Sequence, residues 1–435
     1  MRRQPWLVSF EASRVRLNMP PNALNYRSID IPSLTTVAAA LRKTTEALAH
    51  DVAVPSTEIP RWTEFEWRIG RAAAAMHGIS SVLYRGLRWK GPESWQKFLQ
   101  GQWDQSVERH RQIAVLLDAI DSQARCEGLA LMALKGAALH AGGFYAGGER
   151  PMGDIDLLVH SDHANRLARL LEHCGYEAAF TSSRHQVFKP RIRKIPTAGR
   201  FGEHVDNPIK IELHTRIEEH LPVNVVEITQ FLLPPAMHMG LNAYPSIVSL
   251  MLHLLLHAAG NIRARALRLI QLHDIALIAA RFDPSDWEEL LATKPEGYSL
   301  WWALAPLMLT ASYYPSIIPS TVFARLSVEC PWLLCKLARR QQLTDVSWSN
   351  IRIAAFPGVE WSRSPREALD FMSSRIWPSR KARLELEAGA AEIPGVSTIP
   401  WYGIPHVARI FRWIFSRPPR VQTFLCVRAA LEQPT

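Results

Sequence analysis

Residues 150–159 read Arg-Pro-Met-Gly-Asp-Ile-Asp-Leu-Leu-Val, and no other stretch constrains the fold so tightly. The apolar run Ile155, Leu157, Leu158 and Val159 has the character of a buried strand, and Asp154 and Asp156 interrupt it two residues apart. Side chains alternate faces along a strand, so both carboxylates project from one side while Ile155 and Leu157 enter a core. Two anions this close repel each other, and a hard, oxygen-seeking cation such as Mg²⁺ offsets that repulsion. Taken alone, such a pair is more often two surface carboxylates at a strand end. Its meaning depends on the flanking sequence.

The flanks alternate strand and helix patterns. A strand-like run at 129–134 is followed by Lys135-Gly136, a small-residue helix at 137–144 and a glycine-bearing loop at 142–148. Beyond the aspartates, the spacing predicts a helix over 162–174, a stop at Gly175, and strands at 176–180, 186–189 and 208–214. The last of these contains Ile209-Lys210-Ile211-Glu212-Leu213-His214, again a carboxylate between apolar neighbours. A third carboxylate on an adjacent strand completes a set suited to in-line displacement at a phosphate, holding a second metal or accepting a hydroxyl proton. A salt bridge to Lys210 or Arg216 is the plainer reading of Glu212. His214 reads as a supporting group.

Upstream, one helix is expected at 34–50, helical spacing runs from 64 to 87, and a long amphipathic helix spans 94–127. Beyond residue 220 the periodicity is almost wholly helical, with segments at 245–259, 264–280, 287–292, 298–313 and 322–341. Residues 300–323 are apolar enough to raise a membrane span, but Pro306, Pro315 and Pro319 favour a buried, broken hairpin. A basic segment at 191–202 reads as a loop. The expected organisation is an extension (1–58), a helical region packed on the core (59–127), an α+β core with a small mixed sheet and flanking helices (128–220), a helical domain (221–375) and a basic helical tail (376–435).

With 48% apolar and 21% charged residues the 435-residue chain is globular rather than disordered. Its formal charge of +10 favours a polyanionic partner without choosing one. Fifteen tryptophans lack the basic–aromatic alternation of a nucleic-acid surface. Five scattered cysteines suit neither a disulfide framework nor a zinc finger, and no apolar leader follows Arg2 and Arg3, so a cytoplasmic location is expected. His253 and His257 have zinc-pair spacing, but His-Leu-Leu-Leu-His lacks a metalloprotease glutamate. The segment 405–415 is amphipathic and basic. Such a helix caps a core or makes weak peripheral contact with an anionic membrane.

Leu134-Lys135-Gly136, the helix after it, the 150–159 stretch, Gly175-Tyr176 and Ile211-Glu212-Leu213-His214 together resemble the uncharacterised nucleotidyltransferase family of the DNA polymerase β-like superfamily. Residues 253–257 and Leu272-His273-Asp274-Ile275-Ala276 resemble its helical region, and the likeness covers roughly residues 64 to 290. The resemblance implies transfer of a nucleoside monophosphate from an NTP such as ATP to an acceptor hydroxyl or phosphate, with release of pyrophosphate. It implies Asp154, Asp156 and Glu212 as catalytic Mg²⁺ or Mn²⁺ ligands. Lys135, Gly136, Arg150 and Gly153 would hold the triphosphate, the turn approaching it through backbone N–H groups at a helix N-terminus. The superfamily's usual glycine–serine or glycine–glycine pair is here Gly136-Ala137, without the hydroxyl. It further implies that His253, His257, His273 and Asp274 line the face toward the nucleotide. The acceptor, whether small molecule, peptide or saccharide, is not specified. The alternative is an interaction module that keeps this fold without catalysis.

Overall fold

The alternation at 154–159 becomes an inner strand of a six-stranded mixed sheet. In the computed structural model, residues 32–182, 185–192, 201–295, 299–380, 382–383 and 405–433 are described. The strands are β1 (Ala130–Ala133), β2 (Asp154–Val159), β3 (Tyr176–Thr181), β4 (His185–Pro190), β5 (Lys210–His214), β6 (Glu218–Leu221), β7 (Asn224–Glu227) and β8 (Gly240–Asn242). The sheet order is β3-β4-β5-β2-β1-β8, while β6 and β7 pair as a separate hairpin. β2 runs parallel to β5 and antiparallel to β1, β4 is antiparallel to both β3 and β5, and β8 is parallel to β1.

Around the sheet stand α1 (Leu34–Ala53), α2 (Glu64–His77), α3 (Ser80–Gly86), α4 (Glu93–Cys126), α5 (Lys135–Ala141), α6 (Ala164–His173), α7 (Thr229–Leu232), α8 (Ile247–Ala264), α9 (Leu269–Ala279), α10 (Pro284–Ala292) and α11 (Leu304–Tyr313). Helices Ser320–Ser327, Trp332–Ala338, Leu343–Val346, Pro365–Ile376, His406–Ser416 and Val421–Glu432 follow.

Three expectations need correction. The helix over 64–87 is two helices, because Gly78 takes a left-handed φ of 65° and ends α2. The helix over 322–341 breaks before Trp332, where Pro331 has no N–H to continue the ladder. The stretch beyond 220 also holds a hairpin and β8, whose three or four residues are too short to print a period on the sequence. The β-α-β-α-β order of β1, α5, β2, α6 and β3 agrees with the sequence. Most of the expected 191–202 loop, residues 1–31 of the expected extension, and residues 381, 384–404 and 434–435 of the tail lie outside the described residues.

The two faces of β2 meet different cores. Ile155, Leu157 and Val159 pack with Ile113 and Ile120 of α4 and Leu167, Leu170 and Leu171 of α6. Leu158, on the aspartate face, joins Met132 and a larger cluster that includes Leu250–Leu252, Leu254–Leu256 and α9. The carboxylates therefore face α8. That helix is long and apolar enough to cross a membrane, yet most of it is buried within the fold. A third cluster joins α1 and α2 to the last helix through Val37, Leu41, Ile69, Val427 and Leu431. All five cysteines are free thiols.

Candidate active site

The site follows from strand register. Parallel pairing of β2 with β5 sets Asp154 opposite Lys210, Asp156 opposite Glu212 and Leu158 opposite His214. Alternation then puts Asp154, Asp156, Glu212 and His214 on one sheet face. Antiparallel pairing of β4 with β5 sets His185 opposite His214, so their rings lie 5.1 Å apart. The three carboxylates expected from the sequence thus share one sheet face, with two imidazoles beside them; among the described residues, the group drawn close enough to share one ion is His185, Glu212 and His214.

Lys135 closes the site from the other side. It is the first residue of α5, in a left-handed conformation with φ 47° that a non-glycine residue adopts only at a cost. Its N–H donates to Tyr244 Oη at 3.3 Å, and its Nζ donates to Asp156 Oδ1 at 2.7 Å. His214 Nε2 lies 3.1 Å from the same oxygen, while His214 Nε2 and His185 Nε2 are each 3.7 Å from Glu212 Oε2. His185, Glu212 and His214 could together hold a metal ion.

These contacts divide the charge unequally. Asp156 is 5% exposed, and burial pushes its pKa up; Lys135 and His214 outweigh burial and hold the carboxyl well below its ordinary range. Burial would depress the Lys135 ammonium, but Asp156, Glu212 and Asp154 together raise it. Glu212 is pushed up to about 7, first by desolvation and then by Asp156 and Asp154. Asp154 stands at the open end of β2, exposed to solvent. One carboxylate is thus firmly ionised beside another poised near neutrality, the separation that acid–base chemistry uses.

Arg150 is anchored behind the turn. Its Nε and Nη2 donate to Asp274 Oδ1 and Oδ2, both at 2.8 Å, and Tyr145 Oη donates to Asp274 Oδ1 at 2.6 Å. Gly136 lies against this arginine: a Cβ there would collide with Arg150 Nη1 and sit 3.0 Å from Met152 Sδ. Gly153 has open space where a Cβ would be, so sterics do not demand glycine at that position. Ala137 is buried and packs with Met152 and Ile155.

The cleft, about 130 Å³, opens between this sheet face and α8, with Lys135, His185, Glu212, His214, His253 and His257 among its lining. His253 Nδ1 lies 2.7 Å from Tyr244 Oη, and burial followed by Lys135 keeps its pKa well below 6.5. His257 Nε2 lies 3.1 Å from Asn261 Nδ2, and His273 Nδ1 lies 2.8 Å from Tyr314 Oη. Asp274 reaches the site through Arg150.

Three supporting residues escaped sequence reading. Arg109 of α4 is buried and donates to Met152 O at 3.0 Å and Asn207 O at 2.6 Å, tying the entries of β2 and β5 together. Tyr244 joins Lys135 to His253. His185 arrives by cross-strand pairing alone. No spacing rule marks any of them, because each is held to the site by a partner tens of residues away in the chain.

The mixed sheet carries an Asp-X-Asp strand, a third carboxylate on its parallel neighbour and a helix N-terminus beside both. The model of the uncharacterised nucleotidyltransferase family matches residues 63–314, and the chain belongs to that family. No curated protein and no solved structure matches it.

Proposed function

We propose that the protein is a metal-dependent transferase that moves a nucleoside monophosphate from an NTP to an acceptor hydroxyl or phosphate and releases pyrophosphate. The observation that carries this reading is the β2–β5 register, which gathers Asp154, Asp156 and Glu212 on one face beside Lys135. This donor set is rich in carboxylate oxygen and fits Mg²⁺ or Mn²⁺, with Asp154, Asp156 and Glu212 as the ligands. A bound ion would neutralise phosphate charge and make the acceptor oxygen easier to deprotonate.

The chain's own groups supply the rest. Glu212 either completes the metal site or, uncoordinated, takes the acceptor proton. Lys135 holds Asp156 ionised and is placed to turn toward a phosphate once another cation takes its position. Arg150 keeps Nη1 against the Gly136 turn while Asp274 grips its other nitrogens, so it offers the phosphates a fixed charge. Gly136 lets backbone approach the phosphates closely, and Gly153 leaves the entry of β2 open. We propose that α8 and the rest of the helical region choose the acceptor, a small molecule, peptide or saccharide.

The test is label transfer from α-labelled NTPs to a cell extract with Mg²⁺ or Mn²⁺. The expected result is a labelled acceptor and pyrophosphate with wild type, and a loss of more than about a hundredfold in Asp156→Asn. Transfer that survives in Asp156→Asn sinks this mechanism. Absence of NTP binding by the wild-type protein favours the non-catalytic interaction module.

A further inference from the structure

A second cavity, about 240 Å³, shares no lining residue with the carboxylate cleft. It lies between the first half of α2 and the start of α4, and Glu64, Trp67, Arg68, Arg71, Ser94 and Trp95 line it. The four α2 residues recur at i, i+3, i+4 and i+7, one face of a helix.

Its polar groups are left in an unusual state. Arg71 is 4% exposed, yet among the described residues its guanidinium meets no hydrogen-bond acceptor and no carboxylate, and the one charged group that acts on it is another cation, Arg68. Arg68 donates to Glu64 Oε1 at 2.7 Å and to Leu431 O at 3.3 Å, while its buried Nε has no partner among the described residues. Nor, among the described residues, has the buried Trp95 Nε1. The 34-residue α4 begins at this cavity with Pro92 as N-cap and no side-chain cap for its first turn. Glu64 is the one carboxylate of the lining, and it is mostly in solvent. An unpaired cation on a residue this buried is strongly unfavourable, and Arg71 lines this space.

We propose that this cavity is a binding site for the phosphate group of a ligand. Arg71 and Arg68 supply the charge, the first turn of α4 supplies N–H groups, and Trp67 and Trp95 form the walls. Two guanidinium groups and a helix N-terminus offer more donors than the two oxygens of a carboxylate engage, which favours the phosphate head.

Inorganic phosphate is the probe. Titrated into the full-length protein, it is expected to change tryptophan fluorescence saturably and to raise the melting temperature. Chloride at the same ionic strength should do neither. Arg71→Met should weaken phosphate binding by roughly tenfold or more, and Arg71→Lys should recover part of the loss. Ser94→Asp, which brings an anion into the cavity from the chain itself, should melt higher than wild type without phosphate and lose the phosphate response. It keeps the test decisive if Arg71→Met does not fold. A phosphate effect matched by chloride, or equal in wild type and Arg71→Met, overturns the proposal. So does a Ser94→Asp protein that binds phosphate as wild type does.

Discussion

Asp156 is the residue on which the site's electrostatics turn, because one oxygen accepts from Lys135 and contacts His214 at once. Asp156→Asn removes the counter-charge hydrogen-bonded to the buried Lys135 ammonium, leaving Glu212 and Asp154 near it, so the variant should lose about 3 kcal/mol of stability as well as transfer activity, measured by denaturant melts. Glu212 behaves in the opposite sense. Its pKa rises from the ordinary 4.5 to about 7 on folding, so between those values the folded protein holds a proton that the unfolded chain has released. Stability from Glu212 is therefore fully present below about pH 4.5 and is lost as pH rises through about 7. Glu212→Gln should flatten that decline in thermal melts from about pH 5 to about pH 8. Asp156, held low, adds stability that disappears only as pH falls below its ordinary range, so acid melts separate the two groups. Both aspartates and Glu212 were legible in the sequence as residues. Their unequal charge was not, because it depends on Lys135 and His214 reaching the same oxygen.

The elements deliver these side chains through a few joints. At the start of α5, glycine would ordinarily be inferior to alanine by about 1 kcal/mol. Here a methyl group would press on Arg150 Nη1, and the bidentate grip of Asp274 keeps that arginine from moving aside. The clash outweighs the helix propensity, and Gly136→Ala should cost about 1–2 kcal/mol net in denaturant midpoint. An unchanged or higher midpoint would show that the arginine yields. Sequence spacing located β1, β2, β5 and α6 because each shows a clean period or a glycine stop. It missed β8, too short to carry a period, and it ran two helices through Gly78 and Pro331 where local chemistry breaks them.

Across the whole molecule, the ion pair between Arg150 and Asp274 joins the β2 entry to α9 over more than a hundred residues of chain. Arg150→Met and Asp274→Asn should each destabilise, and a double-mutant cycle in unfolding free energy should return a coupling of about 1–3 kcal/mol. Additive losses would mean that each residue is held by its other neighbours instead. The sequence by itself determined the strand with two carboxylates on one face, the helix and strand order around it, the third carboxylate in a like setting and the family likeness, since these rest on local periodicity and neighbouring residue types. Tertiary structure alone decided which strands are neighbours. The β2–β5 register brings Glu212 to Asp156, the β4–β5 pairing brings His185 to His214, and the packing of α8 against that face makes a cleft of it. Strand alternation fixes which way a side chain points, but only pairing across the sheet, set by long-range burial, fixes what it meets.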